Sequence, residues 1–386
     1  MFARLLPILG ITFIDILGFS ILIPILPYFV EHFGASDVVV GILFSTYALC
    51  QLIGGPIWGN VSDRIGRKAV LIISQIGATI GWLMLAFAPN IVVVFIARII
   101  EGLAGGNISV TQAYVADRVE AHQRARAFGY VGASFSAGLV IGPAAGGWLL
   151  GKYGFSTPFL LAAGLQLCTV LATIFFLPES TAKQGESEET ARLADIPRYL
   201  REPGVSPVLI QKFTYALGLY AWFAAFALVL KALLGFDAPQ ASYFFAAFGF
   251  ASVVIQLGLV GRLTERIGVR RASNVGFASA VAFFATISFA HGLVALGATM
   301  LLFALGLSLT NATIATLLTD AAPPNARGTV LGVGSSLESI AGVIMPTVST
   351  AALSLYGVGA CATISGVFCA VALALGLGAR PQEKLA

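Results

Sequence analysis

The sequence predicts an all-helical membrane protein with twelve transmembrane helices in two six-helix parallel repeats. The 386 residues are 58% hydrophobic and only 10% charged, whereas soluble domains carry about 25% charged residues. The apolar residues are gathered into runs long enough to cross the ~30 Å hydrocarbon core of a bilayer. A polar segment at 178–206 separates two halves that carry similar residues at matching spacings. Together these observations exclude an ordinary soluble domain.

Twelve apolar runs have the length of membrane-spanning helices. They lie near 5–30, 38–58, 69–89, 91–115, 127–150, 156–177, 207–231, 241–261, 272–290, 293–318, 328–353 and 356–378. The first six form a predicted N-terminal bundle at 1–177, and the last six form a C-terminal bundle at 207–386. Between them, 178–206 reads as a charged cytoplasmic linker that holds a short interfacial helix.

The basic residues lie at alternate connections between the spans. Of the 22 lysines and arginines, all but Arg98, Lys152 and Lys231 fall on one side of the alternating topology. Because cytoplasmic segments retain positive charge, we expect both termini to be cytoplasmic and the protein to lie in the inner (plasma) membrane. No basic cluster is interleaved with stacking aromatic residues, so nucleic-acid binding is not expected.

The two halves resemble each other. Residues 59–70 (GNVSDRIGRKAV) and 261–273 (GRLTERIGVRRAS) align at an offset of 202. At an offset of 203, Asp117, Arg124, Gly129 and Pro143 fall on Asp320, Arg327, Gly332 and Pro346. Parallel repeats of this kind are found in secondary transporters, whose substrate site lies between them near the bilayer midplane.

The loop GNVSDRIGRK resembles the signature of the major facilitator superfamily. Gly59 and Gly66 are expected to let the chain turn tightly, and Asp63 to pair with arginines or to lie at a helix N-terminus. The resemblance implies a cytoplasmic conformational latch formed by Gly59, Asp63, Arg64, Gly66, Arg67, Asp117, Gly261, Glu265, Arg266 and Gly268. The alternative is a simple positive-inside anchor, which the second copy of the pattern disfavours.

The fifth span carries the pattern G-x8-G-x3-G-P-x2-G-G, formed by Gly129, Gly138, Gly142, Pro143, Gly146 and Gly147. This pattern is similar to the motif of drug/proton antiporters within the superfamily. Gly138 and Gly142 have the spacing that permits close helix contact, and Pro143 is expected to bend the helix. The alternative is that these glycines serve packing alone.

The first span, FIDILGFSILIPILPYFV, resembles the same helix of the tetracycline/proton exporters. They have an aspartate at the position of Asp15, ahead of prolines that match Pro24 and Pro27. In the fourth span, ARIIEGLAGG resembles the family element R-x-x-Q-G, with Glu101 in place of the glutamine. Those exporters also carry aspartates in the third and ninth spans, and this chain has none there. We therefore do not expect a tetracycline–metal chelate as the substrate.

Four ionisable residues lie deep in predicted spans, namely Asp15, Arg98, Glu101 and Glu338. Each costs about 2.5–3.5 kcal/mol at the bilayer centre, which favours a functional role. Low dielectric disfavours the charged form of a carboxyl group and a nearby arginine favours it. We expect Asp15 to carry a proton, Arg98 to tune it, and Glu101 to be the second proton site. The alternative is a static Arg98–Glu101 pair at i,i+3.

Further polar and aromatic residues are candidates for lining the substrate path. Glu338 is predicted either to contact a cationic substrate or to bond a neighbouring helix. The other substrate-binding candidates are Gln51, Asn107, Gln112, Gln256, Asn311, Tyr220 and Trp222. Polar residues in membrane helices also serve as contacts between helices, and aromatic residues also face lipid.

The pattern favours a proton-coupled antiporter that exports small lipophilic or cationic compounds, as in multidrug or tetracycline-type efflux. The alternative is a proton-coupled symporter or metabolite carrier on the same fold. The sequence contains no phosphate-binding loop, so an ATP-driven pump is not expected. It contains no arrangement of nucleophile and base and no metal-binding cluster, so an enzyme is not expected. We expect a monomer whose partners are protons, a small-molecule substrate and lipid, with the proton gradient as energy source and no cofactor or metal.

Overall fold

The structure is a computed structural model. It describes residues 2–105, 110–111, 114–115, 121–178, 195–323 and 326–378, and it describes side chains within these ranges except at 2–5, 63, 121–126 and 128–129. Every regular element assigned within the described ranges is helical.

The helices follow the predicted apolar runs. They are α1 (Phe2–His32), α2 (Asp37–Ile65), α3 (Arg67–Ala86), α4 (Ile91–Ala104), α5 (Ala121–Tyr153), α6 (Ser156–Phe176), α7 (Ile196–Tyr199), α8 (Ser206–Leu234), α9 (Ala238–Ile255), α10 (Gly261–Ile267), α11 (Val269–Thr286), α12 (Leu293–Ala321), α13 (Arg327–Tyr356) and α14 (Val358–Gly378). A π-helical stretch, Gln256–Val260, joins α9 to α10. The seventh predicted span is therefore α8, and the eleventh is α13.

Eleven helices of the described chain are long and apolar enough to cross a membrane. They confirm eleven of the predicted spans. The fourth predicted span begins with α4, and positions 110–111 and 114–115 are also helical, while the rest of that span lies outside the described residues. The short helix α7 confirms a helix within the 178–206 linker.

The described chain divides into two compact units. Unit 1 holds the described part of Met1–Ser187 together with Phe226–Lys231 and Gly235–Gly249. Unit 2 holds the described part of Glu188–Ala225, Ala232–Leu234 and Phe250–Ala386. Helices α8 and α9 each contribute to both units, so the predicted bundle limits at 177 and 207 stay predictions.

Helix α1 forms the centre of unit 1. Its residues Ile21, Leu22, Ile25 and Leu26 are fully buried, and they form a core with apolar residues of α2 to α6. A helix that is apolar all round lies in a protein core or in a membrane. Asp15, six residues before Ile21 on this helix, is half-buried.

The turns of the repeated loop show one confirmed expectation and one error. Gly66, between α2 and α3, has φ +97°, and the repeat-related Gly268, between α10 and α11, has φ +83°. L-residues with side chains rarely adopt this region, so both positions require glycine. Gly59 and Gly261 instead lie inside helices, with open space where a β-carbon would be. The turning role predicted for Gly59 is wrong, because its helix continues to Ile65.

Candidate functional site

The centre of the candidate site is a buried ion pair on α4. Arg98 Nη1 pairs with Glu101 Oε2, and the two residues are 1% and 5% exposed. Residues three apart share a helix face, which brings the two side chains together. The Asn90 side chain accepts a hydrogen bond from the Val93 amide at 3.1 Å and so caps the start of this helix. The predicted pairing of Arg98 within its own helix is therefore present.

This pair leaves polar atoms unused. Among the described residues, Arg98 Nε and Nη2 and Glu101 Oε1 have no hydrogen-bond partner, although all three atoms are buried. An unmade hydrogen bond in an apolar interior costs about 1–3 kcal/mol or more for a charged group. The pair therefore has hydrogen-bonding capacity that the described residues do not fill.

Tyr47 of α2 links Arg98 to other predicted residues. The Arg98 Cζ atom lies 4.1 Å from the centre of the Tyr47 ring, which is cation–π geometry. The Tyr47 hydroxyl lies within electrostatic range of Arg98, Glu101 and Asp15. Gln51 Nε2 donates to that hydroxyl at 3.4 Å, one helical turn further along α2. Of the predicted polar path residues, Gln51 thus joins the site.

Asp15 of α1 has a partner that sequence reasoning missed. Gln166 Nε2 of α6 donates a hydrogen bond to Asp15 Oδ1 at 3.0 Å, and Gln166 is only 1% exposed. The signal available in the sequence was a glutamine within an apolar run, which membrane helices use for contacts between helices. Asp15, Arg98 and Glu101 therefore all lie within electrostatic range of the Tyr47 hydroxyl in unit 1, and Gln166 holds the aspartate.

Glycines bring the helices around this site into close contact. A β-carbon at Gly81 of α3 would overlap the Glu101 side chain. One at Gly102 of α4 would lie 2.6 Å from the Tyr47 carbonyl oxygen, and one at Gly54 of α2 would lie 2.5 Å from that of Leu103. Each approach needs a residue without a side chain. Helices α2, α3 and α4 can therefore enclose the ion pair directly.

The glycine-rich pattern of α5 packs against α1, as its small-residue spacing predicted. A β-carbon at Gly138 would lie 2.7 Å from the Phe13 carbonyl oxygen, and one at Gly142 would overlap Ser20 Oγ. The Ser20 hydroxyl donates to the Gly138 carbonyl at 2.9 Å, across the two helices. The motif thus positions the helix that carries Asp15.

The rest of the α5 pattern lies on the same helix. Gly146 faces Ile21 and Ile25 of α1, whereas Gly147 faces Pro239 and Ser242 of α9 within unit 1. Gly129 and Pro143 lie inside α5, and the bend expected at Pro143 stays a prediction.

The predicted latch residues are only partly described. Arg67 is buried and donates to the hydroxyl of the fully buried Ser62, while Arg64 is exposed. Glu265 and Arg266 of the second copy are exposed. Asp63 lies in the last turn of α2, not at a helix N-terminus as one expectation had it; its side chain and the whole of Asp117 lie outside the described residues.

The remaining substrate-path candidates are dispersed. Gln256 and Asn311 are exposed, Tyr220 is half-buried, and Asn107 and Gln112 lie outside the described residues. Trp222 is fully buried and packs edge-on against Phe283, Phe284 and Phe303. This is the packing of a core residue, so a substrate contact for Trp222 stays a prediction that its surroundings do not support.

Glu338 has an ionic partner in unit 2. Lys212 Nζ of α8 lies 3.3 Å from Glu338 Oε1 of α13. Of the two readings of Glu338, the bond to a neighbouring helix is the one present in this structure. The sequence grouped Lys212 with the cytoplasmic anchors, and its role as an interhelical charge was missed.

Comparison with known proteins identifies the family. The family model of the Major Facilitator Superfamily matches residues 8–346 and 208–385. The chain belongs to the major facilitator superfamily. It is therefore a membrane transporter and not an enzyme.

Its relatives include drug-resistance proteins. The chain is 32% identical over 290 residues to the class B tetracycline resistance protein of Escherichia coli, covering 72% of each. It is 30% identical over 271 residues to multidrug resistance protein 2 of Bacillus subtilis (strain 168), covering 68% of this chain and 67% of that one. These similarities agree with membership among the drug/proton antiporters of the superfamily.

Solved structures share the fold. The human organic anion transporter MFSD10 (TETRAN) superposes with a TM-score of 0.75 at 20% identity, covering 97% of this chain and 99% of that one. The nucleoside transporter NupG gives a TM-score of 0.79 at 14% identity, covering 97% and 97%. At such identities the likeness concerns the fold alone.

Proposed function

We propose that this chain exports small lipophilic or cationic compounds from the cell in exchange for protons. The observation that carries the proposal is the buried Arg98–Glu101 pair, with Tyr47 and Asp15 in electrostatic range of one another. The relatives of about 30% identity that confer tetracycline or multidrug resistance support export as the direction. The site lies in the inner membrane, and both termini are cytoplasmic.

The charges of the site explain why proton and substrate would exclude each other. With Asp15 and Glu101 ionised and Arg98 positive, the group carries one net negative charge. One proton or one cationic substrate neutralises it, whereas both together leave an uncompensated positive charge in low dielectric. Such a charge is expensive to bury. The group therefore accepts one or the other, which is the requirement for exchange.

The contacts suggest a division of labour between the two carboxylates. Arg98 forms its ion pair with Glu101, while Asp15 is held by the neutral amide of Gln166. A neutral donor stabilises a carboxylate less than a guanidinium does. In this proposal Asp15 takes the proton, and Glu101, the second proton site, responds when Arg98 changes partner.

The glycine contacts link the charge on Asp15 to the position of two helices. Because α1 packs tightly on α5 through Gly138 and Gly142, a change in charge on Asp15 acts on both helices of the pair. Alternating access in this superfamily is largely rigid-body rocking of helix bundles around a central site. Protonation in one orientation and release in the other then drives export.

Drug accumulation in cells tests the proposal. Cells that express the chain should accumulate less ethidium than control cells, and a protonophore should abolish the difference. Asp15→Asn should remove active export while leaving the protein folded and inserted. Proton-driven uptake of a sugar or an organic acid by wild type would instead establish the symporter. Unchanged proton-driven export by Asp15→Asn would refute the assignment of Asp15.

A further inference from the structure

The ion pair between Lys212 and Glu338 is unequally covered. The lysine side chain is 13% exposed and the glutamate side chain is 40% exposed, with 3.3 Å between Nζ and Oε1. A mere surface pair would leave the lysine exposed, as it is at Lys231–Glu31, where the side chains are 41% and 59% exposed. In unit 2 the Lys212 side chain is thus mostly enclosed, whereas the Glu338 carboxylate is accessible.

Lys212 lies near the start of its helix and pairs with a carboxylate of another helix. Lys212 lies six residues after the first residue of α8, about 9 Å along the axis, and Glu338 lies eleven residues into α13, about 16 Å along it. Side chains lean toward the N-terminus of their own helix, and a lysine near a helix end normally extends to water. Lys212 is instead ion-paired with Glu338, and its side chain is only 13% exposed.

Gly334 leaves space for the Lys212 side chain. It precedes Glu338 by four residues, and a β-carbon there would lie 3.1 Å from Lys212 Cδ and 3.3 Å from Cε and Nζ. The lysine stem therefore lies against α13 at Gly334 and ends beside the carboxylate. A side chain at this position would crowd the lysine.

The accessible carboxylate can receive a second cation. Two cations beside one carboxylate repel each other strongly in low dielectric. An incoming cation must therefore take the place of the ammonium. The lysine ammonium is a point charge on a flexible four-carbon stem, so it can retract toward the start of α8, where water is near.

We propose that Glu338 binds the positive charge of a lipophilic cation and that Lys212 is its built-in competitor. The ammonium neutralises the site until a substrate cation replaces it, and neutral or anionic compounds cannot replace it. This inference rests on the proposed function, since it names the charge class of the exported compound. It adds a second charge-bearing site, in unit 2, with Lys212 as a specificity-determining residue.

Equilibrium binding of tetraphenylphosphonium to the purified full-length protein in lipid nanodiscs tests this. Glu338→Gln should weaken binding by about tenfold or more, since a charged partner is lost. Lys212→Met should tighten it several-fold, because the competitor is gone. Lys212→Arg should weaken it, since a guanidinium holds a carboxylate by two hydrogen bonds. Lys231→Met, at the exposed pair, serves as the matched control and should change nothing.

The double variant Lys212→Met/Glu338→Gln distinguishes a cation-binding role of Glu338 from a purely structural role of the ion pair. If the pair only neutralises itself, this variant should bind the cation as tightly as wild type, and that result would overturn the proposal. Weaker binding by Lys212→Met than by wild type would overturn it as well. The measurement needs no proton gradient, so a wild type without proton-driven transport would refute the proposed function and leave this test intact. If Lys212→Met fails to fold, Lys212→Arg still decides by the direction of its shift.

Discussion

Gly81 of α3 lies directly against the side chain of Glu101 in α4, with no room for a β-carbon between them. The buried ion pair is therefore enclosed by a helix that approaches it at a glycine. A tight interior of this kind tolerates added volume poorly.

The first prediction concerns this approach. Gly81→Ala should destabilise the protein by about 1–3 kcal/mol, because the new methyl group displaces Glu101 or separates α3 from α4. Thermal unfolding in detergent measures the loss, and export should fall with it. Gly164→Ala, at a glycine of α6 with open space around it, is the control and should unfold like wild type. Equal behaviour of the two variants would contradict the packing described.

The second prediction concerns the contact between α1 and α5. Gly142→Ala places a methyl group on Ser20 and 2.5 Å from the Leu17 carbonyl oxygen, and should cost about 1–3 kcal/mol. Gly132→Ala, in the same helix but facing open space, should have no such cost. The comparison uses thermal unfolding and transport rate. A harmless Gly142→Ala would mean that the motif does not hold α1 in place.

The third prediction concerns the helix turn at Gly66. Gly66→Ala forces a side chain into the left-handed region at φ +97° and should destabilise by about 1–2 kcal/mol. Gly59→Ala, inside α2, should be neutral or stabilise by roughly 0.5–1 kcal/mol, since alanine favours a helix. Chemical denaturation of both variants against wild type measures the difference. The opposite order would place the turn at residue 59.

The fourth prediction concerns the partner of Asp15. Gln166→Leu removes the donor at 3.0 Å, so the charged carboxylate loses stabilisation. The pH profile of proton-driven export should move to higher pH, while the unfolding temperature changes little. Thr316→Val, at an exposed threonine of α12, is the control. A loss of activity with an unmoved pH profile would assign Gln166 to packing alone.

The fifth prediction concerns Glu101. Glu101→Gln keeps the shape of the side chain but leaves Arg98 as an unneutralised buried cation, which should cost about 3–5 kcal/mol. Exchange driven by a proton gradient should be lost. Glu31→Gln, at the exposed pair with Lys231, should export normally. Full proton-driven export by Glu101→Gln would restrict the coupling to Asp15.

The amino-acid sequence by itself determined the helical spans, the positions of the embedded charges and the glycine pattern of the fifth span. The length of an apolar run and the charges within it decide whether a segment crosses a bilayer, and both are visible in the sequence. The i,i+3 spacing of Arg98 and Glu101 likewise implies their pairing. The sequence predicted a turn after the second span but could not tell whether it lies at Gly59 or at Gly66, since both glycines follow the same apolar run.

Only the tertiary structure decided which neighbours these residues meet. Gln166 beside Asp15, Tyr47 over Arg98 and Lys212 beside Glu338 each join residues far apart in the chain. Helices that are apolar on every face carry no stripe that tells how they are rotated. Their rotation is decided when small residues such as Gly81, Gly142 and Gly334 let particular faces approach, and this selection brings the charged side chains together.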